Sequence, residues 1–286
     1  MPSPQHETFA QRYPVITYFV LTFAISWTGA FLVVAPRLLR HQPVPKFAGI
    51  LMFPIMLLGP SFSGIFLTRI VDGKGGLHDL FSRMWRVQFP VKWFMALLIP
   101  PALILTVLFG LKTLVSPAFA PNFFLMGLLF GIPAGLFEEI GWTGYAFPKM
   151  REYIGALPAS VLLGLLWGLW HLPVIDYLGT AIPHGAYWGR YFLAFTAAMT
   201  AMRVLISWIY INTKSVLLAQ LVHVASTGSL VVFSPPRATA AQEIAWYLAY
   251  AGALWSAVII VALRSGGSLD QSKLLVANKL SDVPFS

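Results

Sequence analysis

Long apolar stretches separated by short polar connections run along almost the whole chain. A window of about 19 residues, the usual length for detecting a membrane-crossing helix, predicts eight transmembrane helices. They are Val15–Ala35, Phe47–Thr68, Trp93–Val115, Asn122–Met150, Ala159–Ile175, Tyr191–Ile211, Ser215–Phe233 and Glu243–Leu263. The pattern therefore predicts an all-α, polytopic membrane protein.

Two segments depart from the spanning pattern. Gly75–Lys92 mixes apolar and charged side chains at helical spacing, which predicts an amphipathic helix in the membrane interface. Residues 265–286 are polar and contain Gly and Ser, which predicts a loose cytoplasmic tail. We accordingly interpret residues 1–264 as a single helical membrane domain whose motif-bearing core covers about 121–233.

Composition agrees with this class. The 286 residues are 58% hydrophobic and 10% charged, whereas about a quarter of the residues in a soluble domain are charged. The chain has no cysteine, so disulfides, thiol catalysis and thiolate metal sites are excluded, and His, Asp and Glu are the strong metal ligands that remain. The predicted surroundings are the lipid bilayer.

The distribution of the basic residues indicates how the protein is oriented in the membrane and does not indicate a polyanionic partner. The net charge is +9, but the Lys and Arg residues are scattered through short loops and form no basic face, so we expect no nucleic-acid binding. Of the 19 Lys and Arg residues, twelve fall on the side of the termini, six fall on the other side, and Arg203 lies within a predicted span. The positive-inside rule then predicts that both termini are cytoplasmic, and we expect an integral protein of the bacterial cytoplasmic membrane.

Three of the predicted spans contain Glu or His side chains in their interior, and ionisable groups inside a membrane indicate a functional site. Glu138 and Glu139 lie on the fourth span, His171 on the fifth and His223 on the seventh. Glu138 and His171 are equidistant from a turn near Gly155, so an antiparallel hairpin places them at equal depth. At about 1.5 Å per residue this depth is roughly 18 Å, and that of His223 roughly 13 Å. We therefore predict one polar layer, nearer the cytoplasmic side.

This polar layer suits hydrolysis in two ways. In the first, Glu138 takes a proton from water while a histidine orients the water and another donor stabilises the oxyanion. In the second, Glu138, His171 and His223 hold a divalent metal such as zinc, whose bound water loses its proton near neutral pH. Adjacent helical residues point about 100° apart, so we expect one glutamate to perform chemistry and the other to cap a helix or pair with another group. Glu138 is the first candidate for the catalytic role and Glu139 the second, beside His171 and His223.

Other polar and aromatic residues receive structural interpretations. Arg203, within the sixth span, is predicted to pair with Glu139, with snorkelling to the membrane interface as the alternative. Trp142 is assigned to an interfacial aromatic belt, and Trp167 to the wall of a cavity. His184 falls in a connection, so we expect it at the surface.

Three motifs together resemble those of a known family. EEIGWTGYAFPKM from Glu138, WGLWHLP from Trp167 and LLAQLVH from Leu217 are similar, in order and spacing, to the motifs of the CPBP intramembrane proteases. This group includes the CAAX prenyl endopeptidases and the bacteriocin-processing (Abi) proteins. The resemblance extends from about Gly75 to Gly228.

The resemblance implies a fold and a reaction. It implies eight helices and peptide-bond hydrolysis in a cavity open to the cytoplasm, with prenylated C-terminal peptides, leader peptides or membrane-bound regulators as substrates. It also implies that Glu138 activates water, that His171 helps to hold it, and that His223 contributes to the oxyanion site or to a metal. A metal-free mechanism stays open.

The chain departs from the family pattern at two positions. Thr143 replaces an arginine, which removes a cation that would fix the neighbouring carboxylate, and Thr227 replaces an asparagine, which leaves one hydroxyl in or near the oxyanion site. We therefore keep a second hypothesis, in which a weak or inactive member acts as a membrane immunity or partner-binding protein. A transporter is disfavoured because no pair of broken helices recurs in two halves.

Overall fold

The computed structural model of the chain describes residues 7–45, 47–176, 183–266 and 268–270. These residues form helices and contain no strand. The α-helices are α1 (Phe9–Arg12), α2 (Pro14–Leu38), α3 (Phe47–Leu67), α4 (Gly73–Met84), α5 (Ile99–Leu114), α6 (Leu128–Gly141), α7 (Phe147–Ile154), α8 (Ala156–Trp170), α9 (Trp188–Thr213), α10 (Val216–Phe233) and α11 (Ala240–Arg264). Most of the predicted tail lies outside the described residues.

The predicted fold class is confirmed. Within the described residues, eight helices are long and apolar enough to cross a membrane, and each overlaps one predicted span. Most of the bounds agree to within a few residues, but the second helix continues to Met84, 16 residues beyond its predicted end, and the sixth begins at Gly185, six residues before its predicted start. The fourth is a 30-residue run, Leu125–Ile154, in which the π-helical turn Trp142–Ala146 joins α6 to α7. Glu138 is near the middle of this run rather than towards one end. Single-turn π-helices are frequent at functional sites.

The predicted amphipathic segment forms α4, which ends at Met84, before the predicted end. This helix continues directly from α3 through another π-helical turn. Its Leu80 side chain is fully buried. Arg83 donates hydrogen bonds to the carbonyl of Gly144 at 3.1 Å and to the hydroxyl of Tyr210 at 2.7 Å. Therefore α4 is attached to the π-helical turn that follows the glutamates.

Glycines let α6 and α10 touch through their backbones. A Cβ atom on Gly131 would lie 2.6 Å from the backbone nitrogen of Gly228, and one on Gly135 would lie 2.6 Å from the carbonyl oxygen of Gln220. Larger side chains would push the helices apart, and small residues serve the same purpose at other membrane helix interfaces. This close approach sets the two glutamates of α6 beside His223 of α10.

A second close contact positions the hairpin of α7 and α8. The turn between these helices is at Gly155, whose φ of +81° strongly favours glycine, and it agrees with the predicted turn. On α8, a Cβ atom on Gly164 would lie 2.6 Å from Cα of Thr200 on α9. The second motif on α8 is thereby held against the middle of α9.

Candidate active site

Glu139 is the centre of a buried network in which both of its carboxylate oxygens accept hydrogen bonds. Its Oε1 accepts hydrogen bonds from Nη2 of Arg203 and from Nδ1 of His223, both at 2.7 Å. Its Oε2 accepts from Nη1 of Arg203 at 2.7 Å and from the hydroxyl of Thr143. The predicted pairing of Arg203 with Glu139 is therefore confirmed. All four side chains are buried.

This network explains how the chain does without an arginine at position 143. Two parallel N–H···O bonds from one guanidinium are the strong geometry for a carboxylate, and Arg203 supplies them from α9. The Arg203 guanidinium also lies 3.3 Å from the Thr143 hydroxyl, which accepts from it and donates to Glu139. The cation expected within the first motif is thus provided by a different helix.

Glu138 has different surroundings, although it is the adjacent residue. Its Oε2 accepts hydrogen bonds from two indole N–H groups, that of Trp167 at 2.7 Å and that of Trp142 at 3.2 Å. It is 1% exposed, and no salt bridge among the described residues involves it. Because an ionised carboxylate has about four acceptor positions, Oε1 remains able to bind a water molecule.

The indole of Trp167 connects the whole site. Besides the hydrogen bond to Glu138, its ring lies 5.1 Å from the ring of His223 and 5.4 Å from the ring of His171, measured between centroids. The guanidinium carbon of Arg203 lies 4.4 Å from the centre of the same ring, within the range of a cation–π interaction. One aromatic side chain therefore contacts Glu138, both imidazoles and the guanidinium that pairs with Glu139.

The end of α8 fixes the tautomer of His171. This residue follows the last residue of α8, and its Nδ1 lies 2.8 Å from the carbonyl oxygen of Trp167. A carbonyl only accepts hydrogen bonds, so Nδ1 carries the proton of the neutral ring. The other nitrogen, Nε2, is consequently the one that can accept a hydrogen bond or a proton.

A cavity of about 80 Å³ adjoins these groups. Glu138, Trp167, His171 and Thr227 contribute its hydrogen-bonding surface. The rest of its wall is largely apolar and consists of Phe53, Ala134, Val174, Ile175, Phe195, Met199, Leu230, Val231 and Tyr247. Among the described residues, His223 does not line this cavity. The predicted residues thus form two adjoining groups, one at the cavity and one around Glu139.

Two tryptophans are more important here than the sequence indicated. The assignment of Trp142 to an interfacial belt is wrong, because its side chain is fully buried and donates to Glu138. Trp167 does line the cavity, but it also donates to the same oxygen. The available signal was a tryptophan at position 167, four residues before His171, because an indole N–H can donate a hydrogen bond to a buried carboxylate.

The structure also bears on the predicted metal site. Among the described residues, no group of three or more His, Asp and Glu side chains is arranged to hold a metal ion. In the predicted set, Oε2 of Glu138 is occupied by indole donors and Nδ1 of His223 by Glu139. The residues as arranged do not fit an ion, and the metal stays a prediction.

The hydrogen bond from Trp167 is expected to stabilise the fold. Replacing Trp167 with Phe keeps an aromatic ring but leaves the carboxylate with one donor, and a hydrogen bond to a charged group contributes about 1.5–3 kcal/mol. We expect the free energy of unfolding, measured at equilibrium in mixed micelles, to fall by that amount. Trp170→Phe is the matched control, because the indole N–H of Trp170 has no hydrogen-bond partner among the described residues. Equal destabilisation by the two substitutions would contradict this assignment.

The eight spans and the buried carboxylate with two imidazoles are the features of an intramembrane hydrolase, and comparison with known proteins agrees. Residues 120–228 match the model of the family described as Type II CAAX prenyl endopeptidase Rce1-like. The CAAX prenyl protease 2 of Methanococcus maripaludis is 26% identical in an alignment of 234 residues that covers 73% of this chain and 79% of that protein. These matches confirm the resemblance indicated by the three motifs. Since the matched family consists of endopeptidases, the chain is an intramembrane enzyme that hydrolyses peptide bonds.

Proposed function

We propose that this protein cleaves prenylated peptides of the CAAX type, with Glu138 as the general base that activates water. The observation that carries the proposal is the contrast between the two glutamates. Glu139 is fully paired with Arg203 and His223, whereas Glu138 faces a cavity with one oxygen not bound to an indole. General-base hydrolysis needs a group within hydrogen-bond reach that can accept a proton from water, and a carboxylate with a free oxygen meets this requirement.

In this mechanism the two indoles fix the orientation of Glu138, and its Oε1 acts as the base. Trp142 and Trp167 fix Oε2, so the carboxylate has one orientation and Oε1 takes the proton of the attacking water. The hydroxide oxygen forms a bond to the carbonyl carbon of the scissile peptide, and the carbonyl oxygen becomes an oxyanion. Preorganisation of the base in this way reduces the cost of orienting it during the reaction.

His171 is suited to hold the water and to return a proton. With Nδ1–H donated to the carbonyl of Trp167, Nε2 can accept a hydrogen bond from the water. When the tetrahedral intermediate collapses, the C–N bond breaks and the leaving amine needs one proton. That proton comes from protonated Glu138 directly or through Nε2 of His171.

The oxyanion donor is assigned to Thr227. His223 gives its Nδ1–H to Glu139, so the neutral ring has only a lone pair at Nε2 and can donate there only as an imidazolium. Thr227 lines the cavity with Glu138 and His171, and a threonine hydroxyl can donate without a change of charge. One hydroxyl replaces the two-donor amide of the family pattern, so we expect slower turnover than in a relative with asparagine at this position.

A purified enzyme in liposomes tests the proposal. A peptide that ends in a prenylated cysteine followed by two aliphatic residues and a terminal residue is supplied, and products are identified by mass spectrometry. We expect release of the terminal tripeptide, with much slower cleavage of the same peptide lacking the prenyl group. Failure to cut the prenylated peptide, together with cleavage of an unmodified leader-type peptide, would replace the proposed substrate class.

The metal prediction is tested in the same assay. A divalent ion, zinc first, held by Glu138, His171 and His223 is retained as a secondary proposal that would need rearranged side chains. Activity that disappears on dialysis against a chelator and returns with zinc would support it, and undiminished activity would count against it.

The proposed location is a bacterial cytoplasmic membrane with both termini in the cytoplasm, as the distribution of basic residues predicts.

A further inference from the structure

A second buried cluster of ionisable side chains joins three elements beside the cavity. His184 precedes α9 and is 2% exposed, so its expected surface position is wrong. Its Nδ1 lies 2.9 Å from Oδ1 of Asp176, and its Nε2 lies 2.7 Å from Oε2 of Glu243 in the first turn of α11. The ring also stacks on Tyr191 of α9, with centroids 3.5 Å apart and planes inclined by 15°.

The hydrogen bonding of His184 defines what this cluster can do. Each nitrogen–oxygen contact needs one proton, so the two contacts hold two protons in all. Either His184 is an imidazolium between two carboxylates, or a neutral ring faces one carboxylate and one carboxylic acid. In both cases the two ring nitrogens are committed to neighbours within the protein. The cluster is therefore built to hold chain segments together.

The segments that it joins carry the cavity wall. Asp176 follows Val174 and Ile175, which line the cavity at the end of the turn that begins with His171. Glu243 is one helical turn before Tyr247, another lining residue. The cluster consequently clamps one wall segment to the helix that carries another.

A path of aromatic rings leads from the cluster to His171. Tyr191 stacks on His184, and the Tyr191 ring lies 6.3 Å from that of Phe195, one turn further along α9. The Phe195 ring lies 5.2 Å from the ring of His171. Displacement of His184 would remove its stacking contact with Tyr191. It would also release the wall segment that ends at Asp176.

We propose that Asp176, His184 and Glu243 form a positioning cluster that holds His171 and the cavity wall in place for hydrolysis. This inference rests on the proposed function. The three residues act through the segment that follows His171 and do not touch the reacting atoms. A displacement of about 1 Å at a reacting group can cost about a hundredfold in rate. A small shift of His171, caused by loss of the cluster, is therefore sufficient to lower turnover.

The test uses His184→Phe, which retains a flat ring for stacking on Tyr191 but removes both hydrogen bonds. In the liposome assay with the prenylated peptide, we expect kcat to fall about ten- to a hundredfold. His78→Phe is the control, since His78 is exposed on α4, and it should leave kcat unchanged. Glu243→Gln, which can still accept a hydrogen bond from the ring, should retain most of the activity.

A second readout is independent of catalysis. Because the chain has no cysteine, Ile175→Cys introduces a single thiol into the buried wall, and its reaction with N-ethylmaleimide can be followed by mass. We expect His184→Phe to accelerate this labelling at least tenfold. If that variant does not fold, Asp176→Ala replaces it, because the Asp176 side chain is partly exposed, and the same acceleration is expected. Unchanged labelling and unchanged kcat would overturn the clamp. Inactive wild-type protein would refute the proposed substrate but leave the labelling comparison valid.

Discussion

Replacing Glu138 with Gln is expected to lower the rate of peptide cleavage on the order of 10²–10⁴-fold, the usual contribution of a general base. The amide has nearly the same shape as the carboxylate, and its oxygen can still accept the hydrogen bonds of Trp142 and Trp167. What it cannot do is take a proton from water. Unfolding of the variant should therefore resemble that of the wild type, while single-turnover cleavage in liposomes is lost.

The neighbouring glutamate provides the contrasting variant. Glu139→Gln removes the charge that pairs with Arg203 and His223, so its main effect should be on stability, with a smaller effect on the chemical step at a temperature where the protein is folded. If Glu139→Gln abolished turnover in folded protein while Glu138→Gln did not, the two roles assigned here would be reversed.

Arg203→Met is expected to destabilise the fold by about 3–5 kcal/mol, the cost of breaking a buried ion pair on one side only. Both partners are fully buried, so Glu139 would be left as a charge without its main partner. Unfolding in mixed micelles measures the change. Arg190→Met on the same helix is the control, because Arg190 is exposed and its replacement should have little effect.

Moving the cation from position 203 to position 143 tests the idea that Arg203 replaces the arginine of the first motif. Thr143→Arg adds a second guanidinium to a buried site that already contains one, and it should be destabilising. Combined with Arg203→Met, the same substitution should restore part of the lost stability, because one cation again faces Glu139. Strictly additive losses in the double variant would show that position 143 cannot supply the cation here.

Hydropathy and spacing alone predict the membrane fold and much of the site. The eight helices follow from apolar runs long enough to span a bilayer. The shared layer of Glu138 and His171 follows from their equal distance from Gly155, where the hairpin turns. The pairing of Arg203 with Glu139 was predictable because few ions lie inside the spans, and a buried carboxylate needs a cation.

Other features depend on side-chain directions that hydropathy does not specify. A tryptophan near a helix end is typical of an interfacial belt, yet the π-helical turn at Trp142 aims its indole inward at Glu138. His184 was expected at the surface because it falls in a connection between two predicted spans. Its burial depends on Asp176 and Glu243, which are 8 and 59 residues away along the chain, and no local pattern indicates that they meet.

Quantitative profiling of new protein termini in cell membranes tests the central claim most directly. Membranes from cells producing the wild type, Glu138→Gln or no protein are compared, with His171→Ala as a second site variant. Proteolysis at Glu138 predicts termini on membrane-associated substrates that occur with the wild type and disappear with both variants. If the Glu138→Gln strain had the same termini as the wild type and also rescued the deletion phenotype fully, the protein would act as a non-catalytic membrane partner, and the proposed mechanism would be wrong.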